Sequence, residues 1–271
     1  MLVASYLDRI NYSETPRVDK NTLYGIHRAH MTAVPYENLE MHLGRKHILD
    51  EKAFATKIIE KNRGGWCFEM NGLLTNILKQ IGFEVTRVAS CIEREKRGDE
   101  GFGNHLVGLV DLDKRYVVDL GLGRGPLSPY PLEEREWSEE GFQFRLERLD
   151  DRWWRFHNHE DWPSHDFTEE PRDLTWFQKQ CTKLQTNTLS TFVNWAIVIL
   201  RTRNGFECLT DTEFIQNIDN TKTKETIQEQ ADYAKIMRGL LGQDLGDEVQ
   251  TLWMGAKERS HRRAQAEAED S

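Results

Sequence analysis

Arg63-Gly64-Gly65-Trp66-Cys67-Phe68-Glu69-Met70-Asn71 is the stretch on which the reading of this 271-residue chain turns. Two glycines permit a sharp turn. After them Leu73, Leu74, Ile77, Leu78 and Ile81 recur at helical spacing up to Gly82, so the pattern predicts a helix beginning near Cys67. Cys67 then falls in the first turn, where unpaired backbone N–H groups and the helix dipole favour a thiolate. The same groups suit an oxyanion formed during acyl transfer. A buried structural thiol after a Gly–Gly turn fits the same nine residues, so the chemistry depends on what else reaches Cys67.

A base and an orienter lie downstream. Asn104–Val110 and Tyr116–Leu120 read as strands around the turn Asp111-Leu112-Asp113-Lys114-Arg115. Counted outward from Asp113, His105 is eight residues back and Asp119 six residues on. A modest stagger makes them neighbours across the hairpin. Asp119 would then fix the imidazole tautomer, and His105 would deprotonate Cys67. Taken singly, His105 also fits a half-buried strand histidine and Asp119 a turn residue before Gly121.

Working outward, the first third is helical. Asn21 and Thr22 are expected to cap a helix ended by Pro35, and Asp50 a second one stopped by Gly64-Gly65. From Val85 the pattern becomes strand-like: Val85–Glu93, the alternation of Phe142, Phe144 and Leu146, then Trp154 and Phe156. Phe192–Leu200 and Phe206–Leu209 flank the hairpin signal Asn204-Gly205. Helical spacing returns over Thr223–Leu241, and Lys257–Ser271 reads as a frayed helix or disordered tail. The order, helices then antiparallel strands then helices, gives an α+β protein rather than a regular βαβ repeat.

Composition narrows the function. Thirty-six Lys and Arg against 45 Asp and Glu give a net charge of −9, which argues against a nucleic-acid binder. The chain is 38% hydrophobic and 10% aromatic, enough to build a core. No apolar run approaches a membrane span, and Met1–Arg9 has no secretory pattern, so a cytoplasmic protein is expected. The cysteines, Cys67, Cys91, Cys181 and Cys208, form no CxxC pair and are expected as free thiols.

With these residues in view, the chain resembles an arylamine N-acetyltransferase. Val34-Pro35-Tyr36-Glu37-Asn38-Leu39 is similar to that family's Pro-Phe-Glu-Asn-Leu segment, and the Cys67 stretch to its Arg-Gly-Gly-x-Cys-x-Glu-x-Asn signature. Asn104-His105-Leu106 and Val117-Val118-Asp119-Leu120-Gly121-Leu122-Gly123 resemble the segments bearing its catalytic His and Asp. The resemblance implies an N-terminal helical domain over 1–84, a central antiparallel barrel over 85–190 and an α/β lid over 191–271, arranged as in cysteine proteases. It implies a Cys67–His105–Asp119 triad, acetyl-CoA as co-substrate with no permanently bound cofactor, and a small aromatic amine or hydrazine as acceptor. Glu37, Asn38 and Arg63 become structural partners near the cysteine. Gly103, Asn104, Ser190 and Arg124 become candidates for holding CoA. Leu122 departs from the family's Phe at the pocket, and Thr188 from its Pro in the lid segment.

Rival readings are an amide synthase using another acyl donor, a cysteine hydrolase with the same triad, and a non-catalytic binding module. His157, His159, Glu160, Asp161 and His165 could be offered as a metal cluster, but their spacing suits a polar loop better, so no metal is expected. Trp153-Trp154 reads as barrel core, and Glu93–Arg97 as a solvated turn. No membrane partner is expected, and the chain is expected as a monomer or homodimer.

Overall fold

The structure is a computed structural model and describes residues 2–159 and 162–269. Its N-terminal part comprises α1 (Leu2–Arg9), α2 (Lys20–Ala33), the short strand β1 (Tyr36–Glu37), α3 (Leu39–His42), α4 (Glu51–Ala55) and α5 (Cys67–Ile81). The cap of α2 is Asp19, two positions before the expected Asn21 and Thr22; its carboxylate accepts from Thr22 N at 2.8 Å. Asp50 caps α4 as the sequence predicts, accepting from Ala53 N. α4 runs into a π-helical turn, Thr56–Glu60, and has ended before Gly64. Gly82 closes α5 at φ 114°, a left-handed conformation that glycine adopts without strain.

Gly64 does more than end a helix. A Cβ there would lie 2.1 Å from the carbonyl oxygen of Pro35. That close approach lets Gly65 N donate to Pro35 O and Glu37 N donate to Gly65 O, so β1 runs against the residues just before Cys67.

The central unit is an eight-stranded antiparallel sheet in the order β5-β4-β3-β2-β9-β8-β7-β6. In chain order its elements are β2 (Glu84–Ile92), the exposed α6 (Arg94–Arg97), β3 (His105–Asp111), β4 (Arg115–Val118), β5 (Tyr130–Pro131), β6 (Arg135–Glu139), β7 (Phe142–Arg148), β8 (Trp154–His157) and β9 (His165–Pro171). The sheet curls until its edges meet: Tyr130 on β5 lies 4.9 Å, ring to ring, from Trp137 on β6, and both pack on Phe156. Aromatic side chains thus close the half-barrel. Trp153 and Trp154 are buried as expected. α5 packs on β2 and β3.

The remainder contains α7 (Gln178–Thr186), α8 (Thr191–Asn194), β10 (Ile197–Thr202), β11 (Gly205–Thr210), β12 (Glu213–Ile218), β13 (Thr221–Thr226), α9 (Gln230–Leu241) and α10 (Glu248–Glu269). Its sheet has the order β1-β10-β11-β12-β13, so the N-terminal part supplies an edge strand. Three expectations fail here. Thr191–Asn194 is helical rather than extended, with Ser190 as its cap. Residues 223–226, the expected start of a helix, belong instead to the exposed strand β13, which pairs with β12. The C-terminal segment is a helix anchored well past Lys257. Arg259 and Arg263 both bind the buried carboxylate of Asp211, and Arg263 lies 3.4 Å from the Trp195 ring centre. Two guanidiniums on one dry carboxylate fix the tail.

Replacing Asp211 by Ala leaves both arginines without their anion. The expected loss is about 3 kcal/mol of stability, read by urea denaturation, with early proteolytic cleavage beyond Arg259.

Candidate active site

Cys67 opens α5 and is buried. The helix start is held by Glu69, whose Oε2 accepts from Trp66 N and whose two oxygens also bind Lys57 Nζ at 2.7 Å and His47 Nδ1 at 2.9 Å. Lys57 reaches Glu37 as well, at 3.1 Å. Burial works against the charge on Glu69, but Lys57 and His47 outweigh it and pull the carboxyl down to about 2. The resemblance places Arg63 beside the cysteine in an Arg–Glu pair. Its partners are Glu248 and Glu40, and the cation on Glu69 is Lys57. Asn38 joins the lid, donating to the Phe192 and Trp195 carbonyls and accepting from Ile197 N.

β3 and β4 pair with Leu109 opposite Val117 and Gly108 opposite Val118. In that register His105 lies diagonally from Asp119, as the turn arithmetic anticipates. His105 Nε2 donates to Asp119 Oδ2 at 2.8 Å, with both side chains 1% exposed. The other Asp119 oxygen accepts from Asn71 Nδ2 and Gly121 N, each at 2.8 Å. Asn71 is one turn along α5 from Cys67; it also donates to Leu106 O and accepts from Leu120 N. His27 on α2 ties the loop at both ends, taking the Asp119 N–H on Nε2 at 3.2 Å and contacting the Leu127 carbonyl through Nδ1 at 2.7 Å. Those partners require the neutral Nδ1–H tautomer, and burial lowers this histidine's pKa.

Gly121 brings the trio together. A Cβ on it would lie 2.6 Å from Cys67 Cβ and 2.8 Å from His105 Cε1, so both residues converge on one point that only glycine leaves open. His105 spends Nε2 on Asp119, which leaves Nδ1 for proton transfer. Burial opposes the Asp119 charge, yet His105, His165 and Asn71 carry the carboxyl down to about 2. The expected low-pKa thiol is not what burial gives: desolvation, then the Asp119 charge, push Cys67 well up, against one favourable contact from Phe68 N–H. An isolated Cys67 thiolate is therefore disfavoured, and a reaction at this sulfur would need a neighbour to take its proton. The other thiols are buried too; desolvation raises Cys91 to about 11 and Cys181 to about 12.

The residues offered for CoA lie apart from one another in the chain's elements. Gly103 N and Asn104 N donate to Ser90 O and Gly101 O, so those N–H groups are committed within the protein. Ser190 caps α8 and donates to Leu184 O, while Phe192 in the same helix meets the ring of Trp66 at 5.2 Å. Arg124 lies in the loop after Asp119, its guanidinium between Trp162 and Phe206. Leu122 is buried in that loop.

The histidines of the offered metal loop go to separate places. His157 binds Glu147, His159 contacts the Arg124 carbonyl, and His165 opens β9. Glu160 and Asp161 lie outside the described residues. The ligand atoms of His105, Asp119 and His165 do lie within 4.8 Å of one another, a group built around the His105–Asp119 hydrogen bond. Among the described residues, no helix is long and apolar enough to cross a membrane.

An N-acetyltransferase family model matches residues 19–249. The chain is 31% identical to human arylamine N-acetyltransferase 1 over 77% of its own length and 81% of the relative's. The chain belongs to the arylamine N-acetyltransferase family. Its fold matches the solved arylamine N-acetyl transferase of Mycobacterium smegmatis with a TM-score of 0.83 at 28% identity, covering 94% of this chain and 98% of that one. The Mycobacterium marinum arylamine N-acetyltransferase, solved in complex with CoA, matches equally in fold at 0.83 and 23% identity, covering 94% and 98%. The protein is thus an acyltransferase of α+β architecture.

Two buried carboxyls held near 2 set the acid response. Each stabilises the fold fully above its unfolded pKa of about 4, and that contribution, roughly 2 to 3 kcal/mol each, is lost as pH falls toward 2. Histidines that burial holds below their ordinary pKa, His27, His30 and His165, add a loss that begins as pH falls below about 6.5, so stability measured by urea unfolding is expected to decline from there and to drop more steeply below about 4.5. Glu69→Gln is expected to be less stable at neutral pH and to show a shallower acid drop.

Proposed function

We propose that this acyltransferase moves the acetyl group of acetyl-CoA to arylamines or arylhydrazines in two half-reactions through acetyl-Cys67. The observation that carries the reading is the buried His105–Asp119 hydrogen bond, with His105 Cε1 and Cys67 Cβ converging on Gly121. Family membership and the CoA bound to the Mycobacterium marinum relative support the choice of donor.

In the first half-reaction His105 Nδ1 takes the Cys67 proton as the sulfur attacks the thioester carbonyl. The carbon–sulfur bond to CoA breaks, and the imidazolium returns the proton to the departing CoA sulfur. In the second, the amine nitrogen attacks the acetyl carbon and gives its proton to His105, which passes it to the Cys67 sulfur as the amide leaves. Asp119 accepts from Nε2 throughout and stabilises each transient imidazolium. The helix N-terminus favours negative charge at the sulfur. For CoA, Gly103, Asn104, Ser190 and Arg124 are the candidate contacts; the Gly103 and Asn104 N–H groups and the Ser190 hydroxyl already donate within the protein, so the Arg124 guanidinium is the candidate charge for the phosphates.

Acetyl-CoA without an acceptor should leave the intact protein heavier by one acetyl group, removed again by an added arylamine. Cys67→Ser should show no acetylation on the minute scale and a turnover lower by about 10³-fold or more. A full acetyl signal in that variant would reject the assignment of the nucleophile.

A further inference from the structure

His165 does no work in the reaction just described, yet it lies beside it. Ser90 on β2 is directly across from His105 in the β2–β3 register, and β9 flanks β2 on its other side. The His165 ring meets the His105 ring edge-on at 5.3 Å, and Phe156 and Phe167 wall it in. The side chain is fully buried. Its Nδ1 lies 2.8 Å from Ser90 Oγ, while Nε2 has no hydrogen-bond partner among the described residues and sits 3.7 Å from Asp119 Oδ2. In so aromatic a setting an apolar side chain would pack as well, so the polar ring needs another reason.

The three groups that bear electrostatically on this ring are His105, Asp119 and Asp166, and the Asp166 carboxylate is taken up by Arg155 and Arg94. Burial, then His105, push His165 down to about 3, so it is neutral and carries one proton. The Ser90 hydroxyl also has one proton and two acceptors in reach, His165 Nδ1 and the Asp166 carbonyl at 3.0 Å. If Ser90 donates to Nδ1, the ring presents Nε2–H to Asp119. The other tautomer aims a lone pair at a dehydrated carboxylate, which costs more.

We propose that His165 is a positioning residue of the triad: its Nε2–H tautomer, set by the Ser90 hydroxyl, turns an N–H dipole toward Asp119 Oδ2 at 3.7 Å, beside the hydrogen bond from His105. This rests on the reading of Cys67, His105 and Asp119 as the catalytic trio. Oδ1 already accepts from Asn71 and Gly121, so an N–H dipole facing Oδ2 adds to the electrostatic stabilisation of the carboxylate. A carboxylate so supplied is a poor base. It orients His105 without drawing away the Nε2 proton, leaving Nδ1 to serve Cys67.

The test is nitrogen-15 NMR of the histidine rings in the full chain. In the parent protein His165 should carry its proton on Nε2, and a proton on Nδ1 would overturn the proposal even if no variant folds. In His165→Phe, which removes the donor, Asp119 becomes more basic and holds the imidazolium longer. His105 should then titrate about half a pH unit higher or more. His165→Gln, which restores an N–H donor, should bring it back toward the parent value. Equal His105 titration in parent and both variants, or equal displacement in Phe and Gln, would make His165 a packing residue only. Neither readout uses acetyl-CoA, so a failure here is separate from a failure of the proposed acetyl transfer.

Discussion

A carboxylate with almost no access to water has to find its donors inside the protein, and Asp119 finds them on three different segments. His105 reaches it from β3, Asn71 from α5 and Gly121 from the loop that follows it. Satisfying one anion therefore fixes the helix that carries Cys67 relative to the sheet that carries His105. His27 adds a fourth tether by taking the Asp119 backbone N–H. His105 and Asn71 share the Asp119 carboxylate as acceptor, and that shared anion holds the two structural units together.

The start of α5 is secured by a second buried ionic group. Glu69, Lys57, His47 and Glu37 exchange short contacts beneath the turn that positions Cys67, and the close passage of Gly64 against Pro35 lets that turn form. From the same β1 region Asn38 bonds to Phe192, Trp195 and Ile197, so the lid is stitched to the helical part beside the site. Breaking any partner in such a group leaves another buried charge or dipole unpaired, which is costlier than losing a surface pair.

Much of this was legible in the sequence, for identifiable reasons. α5 shows itself by glycines at both ends and an apolar stripe between them. The β3–β4 hairpin can be staggered from its turn, which puts His105 near Asp119 from spacing alone. What escaped depends on distant partners. Thr221–Thr226 carries no apolar alternation and is strand only because β12 pairs with it. The C-terminal helix looks frayed until Asp211, 48 residues before Arg259, enters the picture. His165 follows a polar stretch and reads as loop, although β2 and β8 draw it into the sheet. The state of the Cys67 thiol follows from burial, which helix-start position alone does not reveal.

The most direct test of the central role of Asp119 is the single-turnover rate at which acetyl-CoA acetylates Cys67 in Asp119→Asn. The amide preserves size but removes the charge that stabilises His105 as an imidazolium, and it can hold the wrong tautomer. The account expects a fold retained by circular dichroism and an acetylation rate lower by about 10³-fold or more. A folded variant that acetylates Cys67 near the parent rate would contradict it.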